Sequence, residues 1–545
     1  MKTLARVAPW LVLAAALRFW GVSWGLPGLY NADEPHFINT AVSFGSGSLN
    51  PHTFKYPTLW MYTLAASYGA SFLAWSAFGL RATAAQFACL FACHPAPFYL
   101  LGRCLSALFS LLGLLAVAKL ERPGRIYWAV VVLAVSPYLI YSAHEAKADS
   151  LMFFLSALAW VYGVKVYAEG RTRDYLLTGL FAGLALSTQY TALPVLLIVP
   201  AAHLASRRRR PLRPLAAAIA VSGAAFIAAS PFIALDWPAF LSSLRDHAAY
   251  LRLRPSAGGL GSLRFLGHPL LFAGSWSLAG LAFPIGLWRL RARDARLASM
   301  LLLPWAAYCI FMFGKPDNVN LRYFYACLPA FALICAEGLS WMSGLLPGRG
   351  WTALLLAATI GPGAWAAARQ DLRMSRPDTR GEAAAWIDSN IPQGSGILID
   401  EAWASPPLKM SRAQALELGA KAKALGSRRA RYYDLLAHCH HGGGYRIYIV
   451  RRSAKSLGAL PALAAKAQRD GPYLDVGSGL AAAVERGVRY VVTTSYFERD
   501  SAPPSRLGPF FNEVRRRGRL LASFVPGHGL EGPALRVYDV GGETD

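Results

Sequence analysis

The chain runs to 545 residues, 55% hydrophobic and only 16% charged. Soluble domains carry about 25% charged residues and seldom reach this length around one core, so a single soluble domain is excluded and much of the chain faces lipid. A net charge of +25 would point to nucleic acid in a soluble protein. Here much of it sits in short loops between apolar runs, where membrane orientation and anionic lipid account for it, and no nucleic-acid partner is expected.

In chain order, the first apolar run, 5–24, reads as a retained span, because the Trp24-Gly25-Leu26-Pro27 that follows is no cleavage site. A crossing takes roughly 20 apolar residues, and 98–118, 126–142, 150–168, 214–235, 270–288, 297–313, 323–344 and 351–368 qualify. The block 174–206 is broken by Gln189-Tyr190-Thr191 and reads as a two-helix hairpin, which brings the total to eleven spans. With the N-terminus inside, the inner connections hold 18 basic residues and the much longer outer ones 9, as the positive-inside rule demands. Residues 57–79 are apolar enough to cross, but a lone crossing there would reverse every later loop. The stretch 57–97 is therefore expected to lie along the outer face or to re-enter; two crossings there would give thirteen spans.

After Trp365 the composition changes: 18 of the 30 acidic residues follow Arg369. A helix over 382–390 ended by Ile391-Pro392, strands at 396–399, 445–450, 489–494, 520–524 and 535–540, and Ala-rich helices at 411–425, 458–468 and 478–486 predict a soluble α/β domain. The expected division is a membrane domain, 1–368, whose first outer loop spans 25–97, and an extracytoplasmic domain, 369–545. No internal repeat is evident. The seven cysteines suggest neither a disulfide framework nor a zinc ribbon.

The polar chemistry of the membrane half gathers on its outer side. Seven of its twelve acids lie there: Asp33, Glu34, Glu145, Asp149, Asp236, Asp246 and Asp317. With them come His36, Lys55, Tyr56, His144, Lys147, Gln189, Tyr190, His268, Lys315, Arg322 and Tyr323. Ionisable groups at a membrane boundary are costly unless they serve a purpose. A carboxylate can take a proton from an incoming hydroxyl, while Lys and Arg hold a departing phosphate. Each residue also has a structural reading: Asp149 can cap the helix it opens, Lys55 can snorkel to headgroups, Arg322 can anchor a helix end, and Arg207–Arg210 serve topology. The run His438-Cys439-His440-His441 reads as a solvated loop before it reads as a metal site.

Gly25-Leu26-Pro27, Asp33-Glu34, Leu49-Asn50-Pro51 and Tyr56-Pro57 together resemble the first outer loop of the glycosyltransferase family 39 relatives, the protein O-mannosyltransferases and the aminoarabinose transferase, which have the GT-C fold. Ser136-Pro137 through Asp149, Gly179 through Tyr190, Asn320 through Tyr323 with Pro329, and Asp378-Thr379-Arg380 with Trp386-Ile387 and Asn390-Ile391-Pro392 extend the likeness over nearly the whole chain. The resemblance implies inverting transfer of a sugar from a polyprenyl-phosphate donor to a hydroxyl of a lipid, glycan or protein acceptor, outside a bacterial-type cytoplasmic membrane. It makes Asp33 the general base, Glu34 its neighbour and Asp149 the second acid. It gives Lys55, Tyr56, Arg322 and Tyr323 the donor phosphate, with His144, Glu145, Lys147, Gln189, Tyr190 and Lys315 as further substrate contacts. Many relatives have Lys-Tyr where this chain has Gln189-Tyr190, and Lys315 or Lys147 is placed to substitute for the lost cation. A divalent metal is the one cofactor left open, with Glu34, His36 and His268 as candidate ligands. Two other classes compete: a transporter or flippase for lipid-linked sugars, which inverted repeats would favour, and a non-catalytic scaffold, which loss of the Asp33-Glu34 pair would favour.

Overall fold

A computed structural model describes residues 2–78, 83–121, 126–206, 210–253, 278–312, 321–346, 348–451, 468–498 and 507–542. The chain forms two compact units: 1–22, 36–67 and 100–372 make one, and 23–35, 68–99 and 373–545 make the other.

The first unit is helical, because its long apolar runs can satisfy their backbone groups in lipid only by coiling. Three described helices long and apolar enough to cross a bilayer lie wholly within it, Asp149–Ala168, Leu212–Ala229 and Phe324–Ser343, and a fourth, Arg349–Met374, lies in it except for its last two residues. Ala96–Ala118 is a fifth, begun in the other unit. The helix Lys2–Phe19 precedes them. The expected hairpin is present as Thr172–Leu186, a break at 187–189, a 3-10 turn Tyr190–Leu197 and Ile198–Ala205.

One expectation is corrected: the run 126–142 is two short helices, Trp128–Ala134 and Pro137–Ala143, because Pro137 has no N–H to continue the first. The two segments expected at 270–288 and 297–313 are present, over their described residues, in Leu278–Met312, where Asp294 leaves the helical backbone conformation and parts one helix from the next. Asp294 caps the second half through the N–H of Leu297 (3.2 Å), and Tyr167 donates to its other oxygen at 2.6 Å. Glycines let the helices touch: a Cβ on Gly179 would collide with the carbonyl oxygen of Ala218, and one on Gly183 with that of Ser222.

The second unit is built on a six-stranded sheet: β1 (Gly396–Ile399), β2 (Arg446–Val450), β3 (Tyr473–Leu474), β4 (Tyr490–Thr494), β5 (Arg519–Phe524) and β6 (Leu535–Asp539). Their order is β3-β2-β1-β4-β6-β5; the first four run parallel, and β6 and β5 close the edge antiparallel. Side chains alternate between the faces. Leu398 and Val491 join Phe510, Phe511 and Val514 on one side, while Ile397, Ile399 and Val492 join Ala383 and Ile387 on the other. Both faces are covered, as a parallel sheet requires. The five expected strands are present. β3 and the helices Arg429–His438 and Gly508–Arg517 are additional, and most of the helix expected at 458–468 lies outside the described residues.

Also in this unit are the helix Ala84–Cys93 and much of Leu59–Ala77, the pair expected along the outer face. Contrary to expectation a disulfide is present: Cys89 joins Cys439, with the Cα atoms 5.5 Å apart, tying the first outer loop to the C-terminal domain across 350 residues of sequence. Such a separation leaves no spacing to read.

Candidate active site

Within the helical unit, the ends of several elements are laced together. The N–H of Leu59 donates to the Ser187 carbonyl (3.1 Å), that of Thr58 to Ser230 Oγ (3.1 Å), and Trp60 Nε1 to the Ala146 carbonyl (3.1 Å). Tyr190 donates to the Phe54 carbonyl at 3.2 Å, and Asn50 to Asp236 at 2.8 Å. Residues 50–60 thus bind the loop 143–149, the hairpin tip around 187–190 and the segment 230–236 into one polar floor. Lys55 stands exposed above it, 5.4 Å from the Tyr56 ring, and Tyr56 packs against His36 and Phe37 with ring centroids 5.5 and 4.8 Å away.

The loop 143–149 carries the densest charge. Lys147 Nζ lies 2.5 Å from Glu145 Oε2, both almost wholly buried. Asp149, the first residue of its helix, is also buried, and among the described residues neither carboxylate oxygen has a hydrogen-bond partner. Burial alone would push the Lys147 ammonium down, but Glu145 and Asp149 overcome it and raise its pKa above the usual 10.5, with Arg322 opposing. Arg322 therefore lies within electrostatic reach of this group. Nearby, Tyr325 and Ser142 share a 2.6 Å hydrogen bond, and Tyr325 donates to the Tyr138 carbonyl at 2.6 Å. The loop is an anion-and-cation cluster held dry, suited to meeting a charged group of fixed geometry.

His144 is fully buried, its two ring nitrogens 2.8 and 2.7 Å from the carbonyl oxygens of Ile140 and Trp20. It also stands 3.7 Å from Asp371. Its bonds are to the fold. Gln189 is buried and accepts from Thr191 at 3.0 Å. Sequence reasoning missed Arg18, which is fully buried and donates to Ser110 Oγ (2.8 Å) and to the carbonyls of Ala134 (2.9 Å) and Leu133 (3.1 Å). It satisfies the helix end that Pro137 leaves open. The available signal was an arginine inside a span.

In the other unit, Asn31 Oδ1 accepts from the N–H groups of Asp33 (2.8 Å) and Glu34 (3.2 Å). The side chain of Asn31 thereby opens the helix Glu34–Ser43. Glu34 is fully buried, whereas Asp33 keeps access to solvent. The same stretch is braced through Tyr30, over whose ring the Arg380 guanidinium sits 3.6 Å from the centroid. Lys315, His268 and the Tyr323 side chain lie outside the described residues. Among the described residues no three His, Cys, Asp or Glu side chains gather as a metal site; His440 bonds the Met410 carbonyl at 2.8 Å, and Cys439 is in the disulfide.

The family model for dolichyl-phosphate-mannose-protein mannosyltransferase matches residues 60–235, the part that carries the loop 143–149 and the hairpin. No curated protein matches in sequence. Among solved structures, ArnT from Cupriavidus metallidurans bound to undecaprenyl phosphate is similar at a TM-score of 0.51 and 14% identity, covering 98% of each chain. Its apo form aligns at a TM-score of 0.50 and 12% identity over the same shares. The chain is therefore a multi-pass membrane protein of the GT-C fold, similar over residues 60–235 to the dolichyl-phosphate-mannose-protein mannosyltransferases and similar in fold to ArnT.

Proposed function

We propose that this protein is a membrane glycosyltransferase that moves a sugar from a polyprenyl-phosphate carrier to an acceptor hydroxyl on the extracytoplasmic face, with inversion. Residues 1–368 would perform the transfer, and 369–545 form the outer domain. The observation that carries the reading is the buried Glu145-Lys147-Asp149 loop with Arg322 in reach, set in the region that matches the mannosyltransferase model. A dry cation beside acids suits a phosphate better than a neutral permeant.

In the reaction, Asp33 takes the proton of the acceptor hydroxyl as its oxygen attacks the anomeric carbon. The bond from that carbon to the phosphate oxygen breaks on the opposite face, and the electron pair leaves with the phosphate. Lys55 and Arg322 balance the charge that develops there. Partial exposure suits Asp33 to meet an incoming hydroxyl, and burial suits Glu34 to hold the helix start beside it.

The disulfide supports the outward orientation. Such bonds persist in oxidising compartments, and Cys89 and Cys439 must share one face of the membrane. Ten expected crossings separate them, an even number, in agreement with the basic-residue count.

The test is sugar release from a panel of radiolabelled polyprenyl-phosphate sugars by purified protein and by Asp33→Asn. Turnover by wild type alone, with donor still bound by the variant, supports the reading and names the sugar. Failure of every donor to bind would overturn it.

A further inference from the structure

The parallel strands of the C-terminal sheet are ordered β3-β2-β1-β4, so the chain winds one way from β1 and then reverses to lay β4 on the other side. In open α/β sheets the carboxyl ends of the two strands at such a reversal part their loops and leave a crevice. Here that crevice lies beyond Ile399 and Thr494.

Its usual guest is a phosphate, received by a glycine-rich turn and a helix N-terminus. This chain has neither after β1, where Asp400-Glu401-Ala402-Trp403 places two acids and no glycine. A phosphate is disfavoured by charge. What is present instead is polar, acidic and aromatic. Asp400 is buried and accepts from the Thr494 N–H at 3.0 Å. The hydroxyls of Thr494 and Ser405 are buried, and among the described residues neither has a hydrogen-bond partner. Trp403, from the loop after β1, and Tyr496, from the short helix Ser495–Glu498 that follows β4, bring their rings to 5.5 Å between centroids at 33°, and Tyr496 is 46% exposed.

Aromatic faces beside a carboxylate and hydroxyls suit one ligand class above others. A sugar ring offers an apolar C–H face to stack and hydroxyls to donate and accept. We propose that this crevice binds a neutral sugar residue of the acceptor; that it is the acceptor's rests on the transferase reading. The connection to the reaction runs through Arg380. Its Nη1 donates to the Trp403 carbonyl at 2.8 Å while its guanidinium lies over Tyr30, three residues before Asp33. The loop that bears the stacking ring and the stretch that bears the base share one brace.

The experiment is saturation-transfer NMR on the full-length protein in detergent, without donor, using D-glucose, D-galactose, D-mannose, L-arabinose, lactose and maltose as probes. At least one is expected to receive saturation on its ring C–H protons. Trp403→Ala and the surface variant Tyr496→Ala should each lower that signal at least fivefold, Trp403→Phe should retain it, and Asp33→Asn should leave it unchanged. Unfolding midpoints establish that each variant is folded. No transfer to any probe, or transfer equal in wild type and a folded Tyr496→Ala, overturns the subsite whatever the sugar-release assay gives. Aromatic-dependent sugar binding with no binding of any polyprenyl-phosphate donor leaves the subsite standing and removes the transferase reading.

Discussion

Arg380 holds Asp378 through two 2.7 Å hydrogen bonds while its guanidinium lies over the ring of Tyr30. One residue from the C-terminal domain thus fixes the segment that leads into Asp33-Glu34. Lysine would keep the charge but lose both the fork and the stack. Arg380→Lys is therefore expected to lower transfer at least tenfold while leaving donor binding unchanged. Arg380→Ala, which leaves Asp378 unpaired in a mostly buried site, should in addition destabilise the C-terminal domain by about 2–4 kcal/mol. Single-turnover transfer and thermal unfolding of both variants separate the two effects. Equal transfer by Arg380→Lys and wild type would show that the brace has no part in the reaction.

Asp33→Asn keeps shape and the hydrogen bond that its backbone donates to Asn31, and removes only the base. Loss of general-base catalysis costs on the order of 10²–10⁴-fold in rate, so turnover should fall by that range with the donor still bound. Glu34 behaves differently because it is wholly buried. Glu34→Ala should lower the unfolding midpoint as well as the rate, whereas Asp33→Asn should not. Calorimetry beside the sugar-release assay distinguishes them, and an active Asp33→Asn would reassign the base.

The disulfide joins segments 350 residues apart, and closing so long a loop restricts the unfolded chain strongly. Removing a bond of this kind costs about 2–4 kcal/mol. Cys89→Ser and Cys439→Ser should each lose that amount, and the double variant no more than either, since one bond is lost once. Reduced wild type should match them. An unfolding midpoint indifferent to reductant would mean the bond does not form in the protein as made.

The strands of the C-terminal domain were legible because a β-strand writes its burial into short apolar runs such as Gly396–Ile399 and Tyr490–Thr494, bounded by turn residues. The hairpin was legible for a similar reason: Gln189-Tyr190-Thr191 is the one polar break in a long apolar block. What stayed hidden depends on partners distant in sequence. Arg18 looks like the polar end of a first span until Leu133 and Ala134 supply the carbonyls it caps. His144 looks like a substrate ligand until Ile140 and Trp20 occupy both its nitrogens. Asp33-Glu34 stood out by composition, but nothing local foretold that Arg380 would brace the stretch before them.

The Lys147–Glu145 pair gives a prediction in pH. The Lys147 pKa is raised above 10.5 because Glu145 and Asp149 outweigh the penalty of burial. For a lysine with a raised folded pKa, the stabilising contribution is complete below the unfolded value of about 10.4. It fades as pH rises through the folded value. Stability should therefore be flat in this respect at neutral pH and fall only at the alkaline end. Lys147→Met is expected to flatten that alkaline fall, at the cost of leaving Glu145 buried without its cation, a loss of about 3–5 kcal/mol at neutral pH. Replacing both, as Glu145→Gln with Lys147→Met, should restore much of the stability, because the larger part of the single-variant loss is the stranded charge. It should not restore transfer if the loop serves the phosphate. Unfolding midpoints in detergent from about pH 7 to 11.5 for wild type, the single variant and the double variant measure all three effects. A double variant no more stable than Lys147→Met would show that the ion pair itself, and not the stranded carboxylate, carries the stability of the loop 143–149.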